Sequence, residues 1–203
     1  MKIENPKNND NKEKLFIAAT ELFASEGYHK VSVREICEAA GVSKPVLYYY
    51  FKDKENLLEE LINETYLRFD KLKEEHISKE ETLEGVLRGV VKIYISFIKD
   101  SPHLSKFSAI LQSVNVPEKI LSRKIERYRK DKKEFVDLIK LNQKKGILSN
   151  SIDAETLFSS FLGPILVYVI EAIVMGESLT TITKKMNSFV DFWINTYLNK
   201  EVK

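Results

Sequence analysis

Residues 32–58 read SVREICEAAGVSKPVLYYYFKDKENLL, and this segment determines how the first part of the chain folds. Ser32 and Glu35 have the spacing of a capping box, in which each side chain bonds a free backbone N–H at a helix start. Gly41 supplies the backbone freedom that a tight turn requires, and Ser43 matches the N-cap of a second helix. Two short helices joined by such a turn form a helix-turn-helix.

The second helix of a helix-turn-helix enters the major groove of DNA, and side chains near its N-terminus contact the base edges. In this chain that end carries Lys44, Pro45 and Val46, followed by three consecutive tyrosines. Val46 offers only apolar contact, for example with a thymine methyl group. The segment is therefore predicted to bind double-stranded DNA.

The same segment resembles the DNA-binding domain of the TetR family of transcriptional regulators. The resemblance is carried by residues 39–44 (AAGVSK), 47–51 (LYYYF) and 54–58 (KENLL). The chain departs from the family pattern at Pro45-Val46, where many members have Gly-Thr or Gly-Asn. The resemblance implies DNA contacts, mostly to phosphates, by Ser32, Lys44, Tyr48, Tyr49, Tyr50 and Lys54, and the helix-turn-helix geometry adds Ser43, Pro45 and Val46.

The composition fits an all-α protein. Of 203 residues, 43% are apolar, and only 7 are Gly and 5 are Pro, which favours long helices over a turn-rich β fold. Cys37 is the single cysteine and lies on an apolar helix face, as a small core residue in a reducing compartment would. Residues 1–11 are polar and contain no hydrophobic signal region, so we expect a cytoplasmic protein.

Helical periodicity predicts two domains. Residues 1–58 form a helix-turn-helix DNA-binding domain of three helices, and residues 59–203 form a helical ligand-binding and dimerisation domain, a role that the resemblance implies. A fourth helix, starting near Asp53, joins them without a Gly- or Ser-rich linker, so the two are expected to be coupled rigidly. Five more helices follow, the first of them behind a second capping box at Ser78 and Glu81.

One of these helices, residues 154–175, is apolar on nearly all sides. A membrane span needs about 20 apolar residues, and Glu171 interrupts this run, so we expect no membrane insertion but burial on two faces. The resemblance implies that the last two helices of each subunit pair into a four-helix dimer interface. The predicted interface residues are Ser159, Ser160, Gly163, Val167, Phe189 and Trp193. A homodimer would suit a pseudo-palindromic operator with two half-sites.

The resemblance further implies a small-molecule effector, hydrophobic or cationic. Surplus aromatic residues are candidates for its pocket, although each is also a candidate core residue: Tyr94, Phe107, Tyr128, Phe158 and Phe161. Glu171 has three interpretations, since a bare carboxylate in an apolar helix is costly. It lies at a helix edge in water, it pairs with a basic residue of helix 118–145 or across the dimer, or it faces the pocket and attracts a cationic inducer.

Helix 118–145 carries eleven Lys and Arg residues against five Asp and Glu residues. Apolar residues interrupt these charges at helical spacing, which favours the solvated face of an amphipathic helix over a second nucleic-acid patch.

No catalytic or metal-binding pattern stands out. The one Glu-x-x-His sequence, Glu26 to His29, is interrupted by Gly27, and the chain has neither a phosphate-binding glycine loop nor a nucleophile elbow. We predict no enzyme, no metal and no cofactor. The sequence is interpreted as a ligand-responsive transcriptional repressor. The alternatives are an activator of the same fold, or a helical-bundle binding module whose helix-turn-helix is only a packing motif.

Overall fold

A computed structural model describes residues 6–110 and 116–199. Within these ranges the chain forms α-helices and no strand, apart from an isolated β-bridge between Leu148 and Leu198. The all-α prediction is confirmed. The helices are α1 (Pro6–Glu26), α2 (Val33–Ala40), α3 (Lys44–Tyr50), α4 (Lys54–His76), α5 (Leu83–Asp100), α6 (Pro102–Ile110), α7 (Glu118–Lys144), α8 (Ala154–Ile173) and α9 (Leu179–Tyr197).

Packing divides these helices into two compact units. The first unit takes in α1, α2, α3, the part of α4 that ends at Arg68, and α6. The second unit takes in α4 from Phe69 onward, α5, α7 from Leu121 onward, α8 and α9. The predicted boundary at residue 58 follows chain order, whereas α6 packs with helices that precede it by many residues.

Helix α1 forms the centre of the first unit and packs against α2, α3 and α6. Its buried stripe includes Leu15, Ala19 and Phe23, which recur every four residues and so share one face of the helix. The ring of Phe16 lies 5.5 Å from the ring of Phe51, which follows α3. The other helices of the unit contribute buried apolar side chains to the same core: Ile36, Cys37, Leu47, Leu57, Leu61 and Phe107.

The core of the second unit is formed by α5, α7, α8 and α9. Phe161 of α8 is fully buried, with its ring stacked on Phe135 at 5.7 Å and edge-on to Trp193 at 5.3 Å. Arg88 of α5 joins α9 through an ion pair with Asp191 at 2.8 Å.

The entry into α5 differs from the sequence prediction. The hydroxyl of Thr82 accepts a hydrogen bond from the Gly85 N–H at 3.0 Å, as an N-cap residue does. Ser78 instead donates to the carbonyl of Glu74 at the end of α4. The predicted capping box at Ser78 and Glu81 is therefore wrong, because the preceding helix engages the serine.

Helix α8 has the length and the apolar composition of a membrane span. Only 22% of the 18-residue apolar stretch within it is buried in the chain. Glu171 lies within this helix, so a single carboxylate does not by itself exclude a membrane span. Core helices of soluble proteins reach the same length and hydropathy, so these two properties alone do not indicate membrane insertion. The low burial means that α8 exposes an apolar side in the single chain.

Candidate nucleic-acid interface

The capping box at the start of α2 is present as predicted. The Ser32 N–H donates to Glu35 Oε2 at 2.7 Å, and the Glu35 N–H donates to Ser32 Oγ at 3.2 Å. Gly41 ends α2 with a φ of 65°, in the left-handed region that favours glycine. These local interactions fix the turn between the two helices, so the predicted helix-turn-helix is confirmed.

The hydroxyl of Ser32 also donates to Glu35 Oε2 at 2.7 Å. The hydrogen bonds from Ser32 hold the pKa of the Glu35 carboxyl below its usual range. Because this hydroxyl serves the capping box, a phosphate contact by Ser32 stays a prediction that requires a change of hydrogen-bond partner.

Helix α3 presents one side to the protein and another to the solvent. Leu47 is fully buried, whereas Tyr48 is 54% exposed and Tyr49 is 70% exposed. The rings of Tyr49 and Tyr50 meet edge to face at 4.9 Å. Lys44 and Pro45 are exposed at the start of the helix, while Val46 and Tyr50 are half-buried. The exposed side thus combines a positive charge, phenolic hydroxyls and aromatic surface, which suit contacts with phosphate oxygens and base edges.

Ser43 occupies the N-cap position of α3 with an extended backbone, but its side chain makes no capping hydrogen bond. The prediction that Ser43 caps this helix is wrong in that respect. Its exposed position beside Lys44 keeps it within the candidate interface.

Lys54 is held by contacts within the first unit, so its predicted phosphate contact stays a prediction. Its ammonium donates hydrogen bonds to the carbonyl oxygens of Tyr28 at 2.8 Å and Val31 at 2.7 Å. It also lies 4.3 Å from the centre of the Tyr28 ring. Burial lowers the pKa of Lys54. Burial also raises the pKa of Tyr28 to about 12, and the negative charges of Glu55 and Asp53 contribute to this increase.

The predicted dimer residues separate into two groups. Trp193 is only 1% exposed within the single chain, and its indole N–H donates to Ser160 Oγ at 3.0 Å. Trp193 therefore belongs to the subunit core, and its assignment to the dimer interface is wrong. Phe189 is half-buried, and its ring lies 6.1 Å from that of Phe161.

Ser159, Gly163 and Val167 lie on an exposed face of α8, whereas Ser160 is half-buried and bonded to Trp193 within the subunit. Ile170 and Val174, which were not predicted from the sequence, lie on the same face. The exposed residues recur at helical spacing: Ser159, Gly163, Val167, Ile170 and Val174. Helix α9, which packs against α8, exposes Phe192 by 62%. We call these six residues the apolar α8–α9 surface. The exposure of Phe192 could have been predicted from its position next to Trp193. Successive residues of a helix point about 100° apart, so the neighbour of a residue on the buried stripe points away from it.

The predicted pocket residues do not form one group. Tyr94, Phe158 and Phe161 lie in the second unit, where burial raises the pKa of Tyr94 to about 12 with a smaller effect from the charge of Asp131. Tyr128 is 56% exposed on α7, which contradicts its assignment to a pocket lining. Phe107 is buried in the core of the first unit.

Glu171 pairs with Lys185 of α9, whose Nζ lies 2.8 Å from Glu171 Oε2. The interpretation of Glu171 as a paired carboxylate is correct in kind, but the partner lies on α9 of the same chain rather than on helix 118–145. A compensated carboxylate is a weak attractor for a cationic ligand. Among the described side chains, no group of His, Cys, Asp and Glu is arranged to hold a metal ion.

Comparison with known proteins gives a consistent picture. The family model described as bacterial regulatory proteins, tetR family, matches residues 15–61. The uncharacterized HTH-type transcriptional regulator YdgC of Bacillus subtilis is 27% identical over 165 residues, which are 77% of this chain and 77% of that protein.

Solved structures show the same fold. A TetR family transcriptional regulator from Chloroflexus aurantiacus has a TM-score of 0.72 at 19% identity, covering 97% of this chain and 96% of its own. The regulator FadR from Bacillus subtilis, in complex with stearoyl-CoA, has a TM-score of 0.67 at 21% identity, covering 90% of this chain and 97% of its own.

Proposed function

Because this chain belongs to the TetR family and is a DNA-binding transcriptional regulator rather than an enzyme, we propose that it is a homodimeric repressor released from its operator by a hydrophobic small molecule. The observation that carries the proposal is the exposed side of α3. This seven-residue helix buries only Leu47 and exposes Tyr48 and Tyr49. Neighbouring large aromatic side chains exposed to solvent are typical of a binding surface.

Helix α3 enters the major groove in this proposal. Lys44 at its N-terminus neutralises a phosphate, and the hydroxyls of Tyr48 and Tyr49 donate to phosphate oxygens. Val46 makes apolar contact with a thymine methyl group. Phosphate contacts set the affinity and its dependence on salt, while the contact of Val46 contributes to sequence preference.

A second copy of the chain covers the apolar α8–α9 surface. Val167, Ile170 and Phe192 are all exposed by more than two fifths in the single chain, and burying each would contribute about 1–2 kcal/mol. Gly163 leaves room for close approach of a partner helix, because a Cβ there would meet no described atom within 4 Å apart from its chain neighbours. Glycine in a helix costs about 0.5–1 kcal/mol relative to alanine, but Pro164 follows Gly163, and a proline ring crowds a Cβ on the helical residue before it.

A two-fold dimer presents two copies of α3 to DNA. Two half-sites separated by about 34–36 Å place successive major grooves on the same side of the duplex. The operator is therefore proposed to be pseudo-palindromic, and the site of action to be the cytoplasm, where bacterial DNA lies.

The effector is proposed to be hydrophobic rather than cationic. Glu171 is paired with Lys185, so it is not an isolated negative charge that would favour a cation. The FadR relative whose structure contains stearoyl-CoA suggests a long acyl chain joined to an anionic head group. The excess of Lys and Arg in residues 118–145 is compatible with such a head group.

Release from DNA requires that the effector prefer one state of the protein. Shifting the bound population from 99:1 to 1:99 takes about 5.5 kcal/mol of differential affinity. An effector that binds both states equally would leave the operator occupied.

Fluorescence anisotropy of a labelled duplex, obtained by selection from a random pool, tests the proposal. Stearoyl-CoA is expected to release the duplex, whereas free coenzyme A and a hydrophobic cation at the same concentrations are not. Release by the cation alone would reverse the assignment of effector chemistry. Tighter DNA binding in the presence of stearoyl-CoA would favour a co-regulated protein over an induced repressor.

A further inference from the structure

Lys54 is the first residue of α4, where a positive charge is unfavourable because the helix dipole is also positive at this end. The position is nevertheless favourable for contacts with the segment between α1 and α2. Lys54 lies 26 residues from Tyr28 and 23 residues from Val31 in the chain, and its ammonium bonds both carbonyl oxygens.

These contacts occupy most of the hydrogen-bonding capacity of the Lys54 ammonium group. The group has three N–H donors, and two of them end on the carbonyls of Tyr28 and Val31. The face of the Tyr28 ring, 4.3 Å from Nζ, adds cation–π attraction. The side chains of Tyr28 and Val31 are themselves buried, so the segment that Lys54 holds is anchored in the core of the first unit.

The held segment leads directly into the helix-turn-helix. The carbonyl of Val31 immediately precedes Ser32, whose capping box with Glu35 starts α2. The carboxylate of Glu35 also attracts the Lys54 charge. Lys54 thus joins the first turn of α4 to the residue that precedes the N-cap of α2, and α2 is joined to α3 only by the short turn at Gly41.

We propose that Lys54 is a positioning residue for DNA recognition, which holds residues 28–31 against the start of α4 and thereby sets the orientation of α2 and α3. In this role it supports DNA binding without contacting a phosphate. The inference rests on the proposed role of α3 as the DNA-contacting helix, but the contact it describes exists in the free protein and is tested there independently.

The DNA arm of the test compares Lys54→Met with Lys44→Met, each of which removes one positive charge from the same unit. A lysine that contacts a phosphate lowers the slope of log affinity against log salt by about 1 when it is removed. Lys44→Met is expected to show that change. Lys54→Met is expected to lose about tenfold in operator affinity with its salt slope unchanged, because charge-assisted hydrogen bonds are lost within the protein.

The second arm measures amide hydrogen exchange in the free protein. Lys54→Met is expected to exchange faster than wild type at residues 29–36, whereas Lys44→Met is expected to match wild type there. Unchanged exchange at residues 29–36 in Lys54→Met would overturn the proposal, whatever the DNA measurements show. A salt slope lowered by about 1 in that variant would overturn it as well.

Lys54→Arg guards against a Met variant that fails to fold. Arginine keeps the charge and binds phosphate at least as well as lysine, but its planar guanidinium differs in shape from the ammonium held by two carbonyls and a ring. Positioning predicts faster exchange and weaker operator binding for Lys54→Arg at an unchanged salt slope. Wild-type affinity and exchange in Lys54→Arg would contradict the proposal.

Discussion

The indole N–H of Trp193 donates a hydrogen bond to Ser160 Oγ at 3.0 Å and so joins α9 to α8 inside one subunit. Trp193 is buried in the subunit core, where its ring packs against the rings of Phe161 and Tyr197. Its neighbour Phe192 points to the solvent. One aromatic residue therefore stabilises the subunit, and the next is available for association between subunits.

Substitutions at these two neighbours are expected to affect different properties, dimer formation for Phe192 and folding stability for Trp193. Phe192→Asp places a charge on the apolar α8–α9 surface and should split the dimer, since an unpaired buried charge costs several kcal/mol. Trp193→Phe should leave the dimer intact but lower the free energy of unfolding by about 1–3 kcal/mol, through a lost hydrogen bond and a small cavity. Sedimentation measures the first effect and urea unfolding the second.

Leu141→Asp provides the matched control for Phe192→Asp, because Leu141 is an exposed apolar residue on α7 outside the α8–α9 surface. It should remain dimeric. A dimer that survives Phe192→Asp, or dissociates equally in Leu141→Asp, would place the subunit interface elsewhere.

Two glycine-to-alanine changes should also differ in the size of their effect on stability. At Gly89 of α5 a Cβ would lie 2.4 Å from the carbonyl oxygen of His76, so Gly89→Ala should destabilise the fold by about 1–3 kcal/mol. At Gly163 an added methyl group meets no described atom within 4 Å apart from its chain neighbours, but the ring of Pro164 crowds it, so the substitution should change the free energy of unfolding by less than about 1 kcal/mol.

If a partner helix approaches Gly163 closely, the same methyl group should weaken the dimer. Unfolding at low protein concentration, together with the dimer dissociation constant, separates the two effects. Unchanged dimer affinity in Gly163→Ala would show that this glycine is not at the point of close approach.

The ion pair between Asp70 of α4 and Arg127 of α7 predicts a dependence of stability on pH. Hydrogen bonds from the Arg127 guanidinium hold the pKa of the Asp70 carboxyl below its ordinary value. A carboxyl whose pKa is lower in the folded state stabilises the fold above its unfolded pKa of about 4 and loses that effect as the pH falls through the folded value.

Asp70→Asn should therefore be less stable than wild type between pH 5 and pH 7, and the difference should shrink below about pH 4. Because Asp70 is half exposed, the loss should stay near or below about 1 kcal/mol. Asp137→Asn, which removes an exposed pair with Lys133 within α7, is the control in urea unfolding. A difference between Asp70→Asn and wild type that grows on acidification would contradict this account.

Glu171→Gln tests the chemistry of the effector site. The pair with Lys185 lies within the subunit, so the substitution should leave operator affinity and the response to stearoyl-CoA unchanged. Titration of the DNA complex with a hydrophobic cation should give the same weak response as wild type. A cation response present in wild type and lost in Glu171→Gln would instead show that this carboxylate faces the ligand.

The helix-turn-helix could be predicted from the sequence because its determinants are local. The pair Ser32 and Glu35 and the turn at Gly41 act within a few residues, and each was found where the pattern placed it. The exposed side of α3 follows in the same way from the burial of Leu47.

The features that the sequence did not reveal depend on contacts between distant residues. Lys54 finds its partners at Tyr28 and Val31, which no local pattern indicates. The helical period places Trp193 on the apolar stripe of α9 and Phe192 about 100° away from it, but it does not show that this stripe faces the subunit core rather than a partner subunit. Likewise, nothing in the order of the chain indicates that α6 packs with α1.

The claim that α3 of a two-fold dimer recognises an operator is tested most directly by selecting duplexes from a random pool and measuring their affinity against salt. Recognition by such a dimer predicts a selected duplex with two inverted half-sites, bound at least about a thousandfold more tightly than random duplex, with affinity that falls steeply as salt rises. Equal affinity for selected and random duplexes, or affinity that salt does not alter, would contradict it.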